Sequence, residues 1–402
     1  MDSTAELIGC ADCGRVQRVP PATRDLVPEC ACCGHSFAPP TRGSVESALA
    51  YAIAALLLLL PPFLSPLLSV TSFGISRHDW LPSGAQAMWS EGFASLATVV
   101  FLFSIVIPFL YLALMIWVLG SLQAGATAWV GRLYRYAGWL RPWLMIEVYL
   151  VGCCVAYTRL ERVGNVSIGV GGWCLIGACV AWLVLALRLD TRMVWHALPH
   201  SSLAHAGDDS ISCGSCELLV DRRMEHQPCP RCGARLYRRK PDSMRRTTAL
   251  VIAGYLLYIP ANLLPVLSIE RFGRAEPNTI LGGVHELIIN NLWPLAIVVF
   301  TASIIVPLMK LLGLTLMLVM TRMRSSRWLL TRTRLYRLID MIGRWSNIDL
   351  FMISLMVALV QFGALTTVRP EPGAMAFAAV VVITMIASRC FDTRLMWDVT
   401  DG

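Results

Sequence analysis

The sequence predicts an all-α polytopic membrane protein. About eight transmembrane helices form two parallel four-helix repeats, and a small four-cysteine module of the zinc-ribbon or rubredoxin type precedes each repeat. Three observations predict this fold class. The 402 residues are 56% hydrophobic and only 15% charged, with a mean hydropathy of +0.61, whereas a soluble protein carries about a quarter charged residues. The first half of the sequence recurs in the second half, and each half contains two C-x-x-C pairs.

Eight apolar runs are long enough to cross the hydrocarbon core of a bilayer, for which a helix needs about 20 residues. Buried helices of a large soluble protein are the alternative, but such a protein has no use for several runs of this length with almost no charge. The predicted spans are residues 48–70, 93–120, 140–158, 168–189, 248–269, 292–320, 346–368 and 373–391.

The basic residues predict the orientation of these spans. Cytoplasmic loops are enriched in Lys and Arg, so the basic segments, both termini and both cysteine modules are expected in the cytoplasm. The net charge of +8 then reflects orientation and a match to anionic lipid rather than nucleic-acid binding. Of the 34 Lys and Arg residues, 27 lie in the segments 1–46, 121–141, 188–247, 321–344 and 389–402.

The two halves align over most of their length. At an offset of 199 residues SIVIP (104–108) meets SIIVP (303–307), and at an offset of 202 LDTRMVW (189–195) meets FDTRLMW (391–397). Because four spans follow each module, both repeats have the same orientation, as in the parallel repeats of some transporters. The predicted domains are the first module (1–46), the first four-helix unit (47–190), a linker with the second module (191–246), and the second four-helix unit with the C-terminal tail (247–402).

The two C-x-x-C pairs of each module are candidate metal ligands. Two thiolates at this spacing lie on one tight turn and can chelate one ion, so two pairs supply a closed tetrahedral site. Glycine follows the second cysteine of three pairs, as a tight turn favours, and Glu217 takes that place in the fourth. The candidate ligands are Cys10, Cys13, Cys30 and Cys33 in the first module, and Cys213, Cys216, Cys229 and Cys232 in the second.

We predict one structural Zn²⁺ ion in each module. Disulfides are the alternative, but they need an oxidising compartment and the modules are predicted to be cytoplasmic. Iron also binds four thiolates, so the spacing leaves zinc and iron open. Four cysteines leave no open coordination position, which indicates a structural rather than a catalytic metal. A short segment with few apolar residues needs such a metal to fold.

Four motifs of the second half resemble those of a known family. YIPANLLPVLSI (258–269), AIVVFTASIIVPLMKLLGL (296–314), IGRWSNIDLF (342–351) and FDTRLMW (391–397) are similar to the PqiA/LetA family of integral membrane proteins, the paraquat-inducible protein A family. Together with the cysteine modules, the resemblance covers nearly the whole chain. The first half departs from the pattern, because LLPPF replaces YIPAN, RPWLMIE replaces GRWSNID, and Tyr111 replaces the lysine.

The resemblance implies a protein of the bacterial inner membrane that works with a periplasmic MCE-domain protein, whose tunnel conducts lipid. The implied activity is transport of phospholipid between the inner and outer membranes. The residues themselves contain no nucleophile–base pattern, phosphate loop or dinucleotide fingerprint, so an enzyme is not expected. Two other classes stay open: an electron-transfer protein with rubredoxin-like iron sites, and a structural membrane anchor for a periplasmic partner.

Lys310 lies near the middle of an apolar run, about ten residues from the cytoplasmic end of its span. A charge at that depth costs at least about 2.5–3.5 kcal/mol on insertion scales, so it calls for a partner or a function. Glu147 and Asp349 are the acids nearest the membrane interior, and we predict that Lys310 pairs with one of them in one state of a transport cycle. An ammonium that only reaches towards water is the alternative.

Prolines near polar residues predict a polar cavity around this lysine. Pro307 frees the carbonyl of Ser303, four residues back, and Pro265 frees a carbonyl beside Asn262. Opened backbone at membrane depth is tolerated where it is buried or lines a wet cavity. A helix kink that serves packing is the alternative. The predicted cavity residues are Glu147, Asn262, Ser303, Pro307, Lys310 and Asp349.

Overall fold

The structure is a computed structural model, and within the residues that it describes the chain is mainly helical, with four small antiparallel sheets. The two cysteine modules and the two helical repeats follow one another along the chain in the predicted order. The described residues are 6–19, 28–37, 44–72, 74–125, 129–161, 164–189, 191–198, 210–271, 274–361 and 366–399.

The first module consists of a short hairpin, and the first repeat combines long apolar helices with a three-stranded sheet. In chain order these elements are β1 (Glu6–Gly9), β2 (Val16–Val19), α1 (Val45–Leu58), α2 (Pro61–Leu64), β3 (Leu68–Ser72), β4 (Ile75–Asp79), α3 (Ser83–Ser90), α4 (Ala94–Phe101), α5 (Ile107–Gln123), α6 (Val130–Leu140), α7 (Ile146–Leu160), β5 (Asn165–Ile168), α8 (Val170–Arg188) and α9 (Thr191–His196).

The second module and the second repeat have the same plan. Their elements are β6 (Ser210–Ser212), β7 (Leu219–Asp221), α10 (Ser243–Leu263), β8 (Leu267–Arg271), β9 (Arg274–Asn278), α11 (Ile280–Ile289), α12 (Trp293–Phe300), α13 (Val306–Arg322), α14 (Leu329–Ile342), α15 (Ile348–Leu359), β10 (Thr366–Pro370) and α16 (Pro372–Cys390).

The predicted duplication is confirmed by matching irregular features. A π-helical segment follows α4 at Leu102–Val106, and another follows α12 at Thr301–Ile305, which is the same position at the offset of 199 residues. The sheet of repeat one has the strand order β4-β3-β5, and that of repeat two has the equivalent order β9-β8-β10. A short 3₁₀ segment precedes α7 at Arg141–Trp143 and α15 at Gly343–Asn347.

The prediction of a polytopic membrane protein is confirmed as well. Among the described residues, seven helical stretches are long and apolar enough to cross a membrane. The remaining predicted span is α10, which has 21 residues and is long enough, but it opens with Arg245 and Arg246 and is less apolar. The seven stretches are Val45–Leu64, Ala94–Gln123, Val130–Leu160, Val170–Arg188, Trp293–Arg322, Leu329–Leu359 and Pro372–Cys390.

The two three-stranded sheets were not predicted, and they shorten three of the predicted spans. The spans 48–70, 248–269 and 346–368 run on into β3, β8 and β10, whereas the preceding helices end at Leu64, Leu263 and Leu359. Apolar and β-branched residues continue from helix to strand, so hydropathy alone does not mark the boundary. Under the predicted orientation both sheets lie on the outer side of the membrane.

Helix α15 forms the centre of the molecule, where the two repeats meet. Nearly all of its residues are buried, as expected for a helix that is apolar on every side. It packs against α7 and α3 of repeat one. Tyr149 meets Phe351 edge-on with ring centroids 5.1 Å apart, and the absence of a side chain at Gly152 allows α7 to approach α15 closely. Residues on these two helices therefore determine what the repeats share.

Candidate metal centres and intramembrane polar site

The structure brings the predicted cysteines together as two buried quartets. In each module, the four sulfur atoms lie within 4.8 Å of one another. Two Sγ–Sγ distances per quartet are 3.5 and 3.6 Å for Cys10–Cys33 and Cys13–Cys30, and 3.7 and 3.6 Å for Cys213–Cys232 and Cys216–Cys229. The cysteines are free thiols, and these distances are far longer than the roughly 2.05 Å of a disulfide.

The four sulfurs have the spacing that a tetrahedral metal ion requires. Zn–S bonds of about 2.3 Å at the tetrahedral angle separate the sulfurs by about 3.8 Å. The donor set of four buried cysteines is the usual one for structural zinc or for iron. These residues therefore fit a bound metal ion, and the geometry allows either element.

The backbone of each C-x-x-C segment forms a tight turn, which keeps its two cysteines close enough to bind one ion. In the first turn the amide of Gly14 donates to the carbonyl of Cys10, and in the third the amide of Glu217 donates to that of Cys213. The residue after each second cysteine has positive φ, which is 78° at Gly14 but also 59° at Glu217. The predicted role of glycine in these turns is thus seen, and Glu217 adopts a conformation that normally costs a non-glycine residue about 1–2 kcal/mol.

The first module docks on the second repeat, which does not follow it directly in the chain. Its quartet belongs to an apolar cluster with Leu311 of α13, Phe391 and Trp397. Arg337 of α14 donates to the carboxylate of Asp12 at 2.7 Å and lies 3.6 Å from the sulfur of Cys33. A guanidinium at this place offsets the negative charge of a four-thiolate site.

A histidine completes the polar surroundings of the first quartet. His35 Nδ1 lies 2.9 Å from the Asp12 carboxylate. The hydrogen bond with Asp12 raises the pKa of His35, which favours the charged form of the ring. Asp12 thereby connects His35 to Arg337, and it ties the module to repeat two through charged hydrogen bonds.

The second module docks on the first repeat in the same crossed manner. Its quartet belongs to the core cluster that contains Val130 of α6 and Trp195 of α9. The guanidinium of Arg231 lies over the Trp195 ring, 5.4 Å from its centroid. Gly131 of α6 contacts the backbone of Arg231 so closely that a Cβ at position 131 would lie 2.3 Å from its carbonyl oxygen. Each metal module thus packs against the repeat that it does not directly precede.

Lys310 is almost completely buried, with an exposure of 2%, and its ammonium is held by the second repeat itself. It donates to the carbonyl of Gly343 at 2.7 Å and lies 3.4 Å from the hydroxyl of Ser346. Among the described residues, no carboxylate forms an ion pair with it. The predicted pairing with Asp349 or Glu147 is therefore not what this conformation contains.

Glycine at position 343 is what permits this contact. A Cβ there would lie 2.5 Å from Cε of Lys310 and 3.0 Å from its ammonium. The GRWSNID motif and the lysine are thus two parts of one arrangement, because the lysine reaches the backbone only where no side chain intervenes.

The two predicted acids lie apart from Lys310. Glu147 pairs with Arg344 at 3.6 Å. Asp349 is buried, and its Oδ1 atom has no hydrogen-bond partner among the described residues. It faces a narrow cavity that Arg159 and Glu286 also line. Nε of Arg159 likewise has no partner in the described part of the chain.

A second cavity, which we call the outer part, shares four lining residues with this one and lies against the sheet of repeat two. The outer part has a volume of about 360 Å³ and is lined by apolar side chains that include Met356 and Val368. Arg159 and Glu286 line both parts. We call the combined space the outer chamber. Three ionisable groups and an apolar wall therefore meet at the junction of the two repeats.

The remaining predicted cavity residues have local partners. The Ser303 hydroxyl donates to the carbonyl of Val299, and the Asn262 amide donates to the carbonyl of Tyr258 at 2.8 Å. Pro307 is the second residue of α13, directly after the π-helical segment, and the Tyr258 hydroxyl donates to the Ile304 carbonyl in that segment at 3.2 Å. The Tyr258 hydroxyl thus bonds to the backbone one residue beyond Ser303, whose carbonyl Pro307 leaves without its helical donor.

Pro265 corrects the sequence interpretation more directly. Helix α10 ends at Leu263, so Pro265 lies beyond the helix and opens no hydrogen bond within it. The predicted single cavity is instead divided. Lys310 has one set of partners, Glu147 has another, and Asp349 lies in the outer chamber.

Two residues of the outer chamber were missed by the sequence analysis. Arg159 lies one residue beyond the predicted span 140–158, and its side chain lines the same cavity as Asp349. A long arginine side chain can extend well past its own Cα. This property could have predicted that an arginine just beyond a span reaches back towards Asp349. Glu286 precedes the predicted span 292–320, and it lies at the chamber wall.

The fold and its sites define the class of protein. It is a multi-pass membrane protein with two related helical repeats, two buried cysteine quartets that fit a metal ion, and a polar chamber between the repeats. Residues 45–199 and 244–401 match the family model described as paraquat-inducible protein A. The chain belongs to this family, and the two matched ranges coincide with the two repeats.

Curated relatives match the chain over most of its length. The intermembrane transport protein PqiA of Escherichia coli K12 is 31% identical over 98% of this chain and 96% of its own. The lipophilic envelope-spanning tunnel protein A of the same strain is 30% identical over 86% and 81%. A probable intermembrane transport protein of Haemophilus influenzae is 27% identical over 98% and 97%. No solved structure matches the chain.

Proposed function

We propose that this chain is a bacterial inner-membrane transport protein that passes phospholipid to or from a periplasmic MCE-domain tunnel protein. Two relatives are named for intermembrane transport and one for an envelope-spanning tunnel, which supports transport across the cell envelope rather than catalysis. The MCE-domain partner is what the resemblance of the motifs implies. The distribution of Lys and Arg supports a cytoplasmic location for both termini and both cysteine modules.

The outer chamber carries the proposal that the cargo is a lipid. Its apolar wall, with Met356 and Val368, suits an acyl chain, and Arg159 is placed to bind a phosphate. Asp349 and Glu286 supply carboxylates for a headgroup amine. Ionisable residues inside a membrane protein commonly mark the path of a substrate. A chamber that combines charged groups with an apolar wall matches the chemistry of a phospholipid.

The cysteine quartets have a structural role in this proposal, and we assign one Zn²⁺ to each. When bound, the metal supplies the crosslink that holds a module too small for a core of its own. Because each module docks on the repeat that it does not directly precede, the two metal centres fasten the halves of the transporter together on the cytoplasmic side.

Lys310 is proposed to change partners during transport. The segment Gly343–Asn347 contacts Lys310 through Gly343 and Ser346 and contacts Glu147 through Arg344, and Asp349 is the second residue after it in the chain. A small shift of this segment therefore alters the surroundings of all three charged groups. Pairing of Lys310 with Asp349 or Glu147 then belongs to another state than the one described above.

Photocrosslinking tests whether the outer chamber holds lipid. A photoreactive amino acid replaces Met356 at the chamber wall in cells whose phospholipids are labelled with ³²P. We expect a lipid adduct on the full-length protein at this position. The matched control places the same amino acid at Leu314, which is fully buried in α13 away from the chamber, and it should give none. Equal labelling at both positions, or none at Met356, contradicts the proposal.

The charged residues are tested by complementation of a strain that depends on this chain for envelope lipid transport. Lys310→Ala and Asp349→Asn should abolish growth under that condition while the protein accumulates and inserts normally. Arg324→Ala, on the cytoplasmic loop after α13, is the control and should grow. Full growth of Lys310→Ala at normal protein level would show that the buried ammonium has no role in transport.

A further inference from the structure

A second large cavity lies on the side of the cysteine modules and is separate from the outer chamber. Its volume is about 1110 Å³. It is enclosed by the α6–α7 corner of repeat one, the end of α16 from repeat two, and the second cysteine module. The aromatic part of its wall consists of Tyr111, Tyr134, Tyr136, Trp139, Trp143 and Trp195.

The cavity carries positive charge. Four of its lining residues are cationic, and none of the described lining residues is acidic. Two of these cations have other tasks: the ammonium of Lys240 donates to the carbonyl of Arg389 at 2.8 Å, and Arg389 pairs with Asp340 at 3.7 Å. Arg135 lies over the Tyr136 ring at 4.9 Å. The guanidinium of Arg141 has no hydrogen bond or ion pair with any residue of the described segments, and only its backbone is bonded.

The unpaired Arg141 results from divergence between the repeats. At the offset of 202 residues, Arg141 occupies the position of Gly343, where the second repeat has no side chain. Tyr111 occupies the position of Lys310 and packs edge-on against Trp182 with ring centroids 5.4 Å apart. Repeat two therefore buries its cation against a glycine. Repeat one keeps the inner position uncharged and presents a guanidinium to the cavity.

The surroundings place this cavity at the edge of the bilayer. Trp139 is 70% exposed and Tyr136 is 52% exposed, and both line the cavity at one end. Amphipathic aromatic side chains of this kind concentrate at the membrane–water interface. Under the orientation predicted from the basic residues, that interface is the cytoplasmic one, whose lipids carry negative charge.

We propose that this cavity binds an anionic phospholipid of the cytoplasmic leaflet. Arg135 and Arg141 hold the phosphate, because the planar guanidinium matches phosphate oxygens in pairs. The glycerol backbone and the first part of the acyl chains lie along the aromatic wall. The aromatic wall and the position at the bilayer edge favour a lipid over free phosphate. This proposal rests on the orientation given under the proposed function, in which this side of the protein faces the cytoplasm. It adds to that function a second lipid site and the class of lipid that binds there.

Native mass spectrometry of the full-length protein, released from nanodiscs, tests the site. Nanodiscs contain phosphatidylcholine with a minor share of phosphatidylglycerol. We expect phosphatidylglycerol to be retained preferentially by the wild type. Arg135→Gln and Arg141→Gln should each weaken retention about tenfold, which corresponds to about 1.4 kcal/mol, because each removes a charge-assisted hydrogen bond to the phosphate. Arg141→Lys should retain part of the binding, because the charge remains.

Arg327→Gln is the matched control, because Arg327 is exposed on another loop of the same face and does not line the cavity. It should leave retention unchanged. Equal retention of the two lipids by the wild type, or unchanged retention in both glutamine variants, would overturn the proposal. Displacement of the lipid by millimolar inorganic phosphate would instead identify a site for a soluble anion. Melting temperatures of all variants show whether each protein is folded.

The same variants separate this proposal from the transport function. The Arg141→Gln protein with the photoreactive amino acid at position 356 should still form the lipid adduct in the outer chamber. Loss of phosphatidylglycerol retention together with a persistent adduct supports both proposals. An adduct that is absent from the wild type refutes lipid in the outer chamber and leaves the test of the second cavity intact.

Discussion

The two repeats share one scaffold, but they differ in charge at the position of Lys310. In repeat two, Lys310 is buried and its ammonium contacts the carbonyl of Gly343 and the hydroxyl of Ser346. In repeat one, Tyr111 and Leu144 stand at the positions of Lys310 and Ser346, and both are buried without a charge. The π-helical segments and the three-stranded sheets are nevertheless the same in both repeats.

The difference shows which parts of the duplicated unit depend on one another. A buried ammonium needs hydrogen-bond acceptors at short range, so the lysine, the glycine and the serine occur together in one repeat and are absent together from the other. The scaffold needs only backbone hydrogen bonds and apolar contacts, which many sequences satisfy. Divergence is therefore concentrated in the polar contacts, where we place the functional difference between the repeats.

The largest expected effect comes from breaking a metal quartet. Cys229→Ser should lower the metal content from two Zn²⁺ per chain to one and unfold the second module, because zinc contributes about 10–16 kcal/mol to the folding of such modules. Since this module docks on repeat one, hydrogen exchange should rise in α6 and α9 and remain unchanged in α14. Elemental analysis and exchange mass spectrometry provide the measurements.

Cys32→Ser is the control for that experiment. Cys32 lies between two ligands of the first quartet but does not belong to it, so the variant should keep two metal ions. Increased exchange in α14 of Cys229→Ser would contradict the crossed docking. A red wild-type protein that contains iron and bleaches on reduction would instead favour the electron-transfer alternative.

A smaller effect is expected when a methyl group is added beneath Lys310. Gly343→Ala places a Cβ 2.5 Å from Cε of the lysine, and crowding of this kind destabilises a packed core by about 1–3 kcal/mol. The equivalent change in repeat one, Arg141→Ala, should alter stability by less than about 0.5 kcal/mol, because Arg141 is exposed. Melting temperatures of the purified variants measure the difference.

The double variant Lys310→Ala/Gly343→Ala sharpens this comparison. Once the lysine is shortened, the methyl group has room, so the double variant should be more stable than the sum of the two single effects. Strict additivity would show that Gly343 is needed for some purpose other than the approach of Lys310.

The last expected effect appears in only part of the pH range and concerns an acid that repeat two lacks. Asp79, at the end of β4, is fully buried and bonds to the Ser83 hydroxyl, whereas Asn278 occupies its position at the offset of 199 residues. Burial raises the pKa of Asp79 from 3.8 to about 7. Because the pKa is higher in the folded state, this acid favours folding below about pH 4, and its contribution is lost as the pH rises through about 7.

Asp79→Asn, which copies repeat two, should therefore raise the melting temperature more at pH 8 than at pH 5 and change it little below about pH 4. The gain at pH 8 is expected to be on the order of 2–4 kcal/mol. Asp221→Asn on the exposed end of β7 is the control, with no such pH dependence. A variant that melts below the wild type at pH 8 would show that the Asp79 carboxylate is stabilised in its charged form.

Much of the candidate metal site could be predicted from the sequence, and little of the polar site could. The spacing of Cys213, Cys216 and their partners is a local property, and the tight turns leave few other geometries. The partners of Lys310 are not local. Gly343 lies 33 residues away, and every residue has a backbone carbonyl, so the sequence does not show which carbonyl accepts from Lys310. The acidic side chains were therefore the partners that the sequence predicted.

Composition and spacing by themselves determined that the chain crosses a membrane, that its unit is duplicated and that eight cysteines form two quartets. The physical reason is that lipid imposes long apolar helices and that a chelating turn needs neighbouring residues. Only the tertiary structure decided that each module packs on the repeat that it does not directly precede and that Arg159 and Asp349 line one cavity. Two related repeats offer related surfaces, so the choice between them depends on side-chain contacts such as those of Arg337 and Arg231, which exist only once the chain has folded.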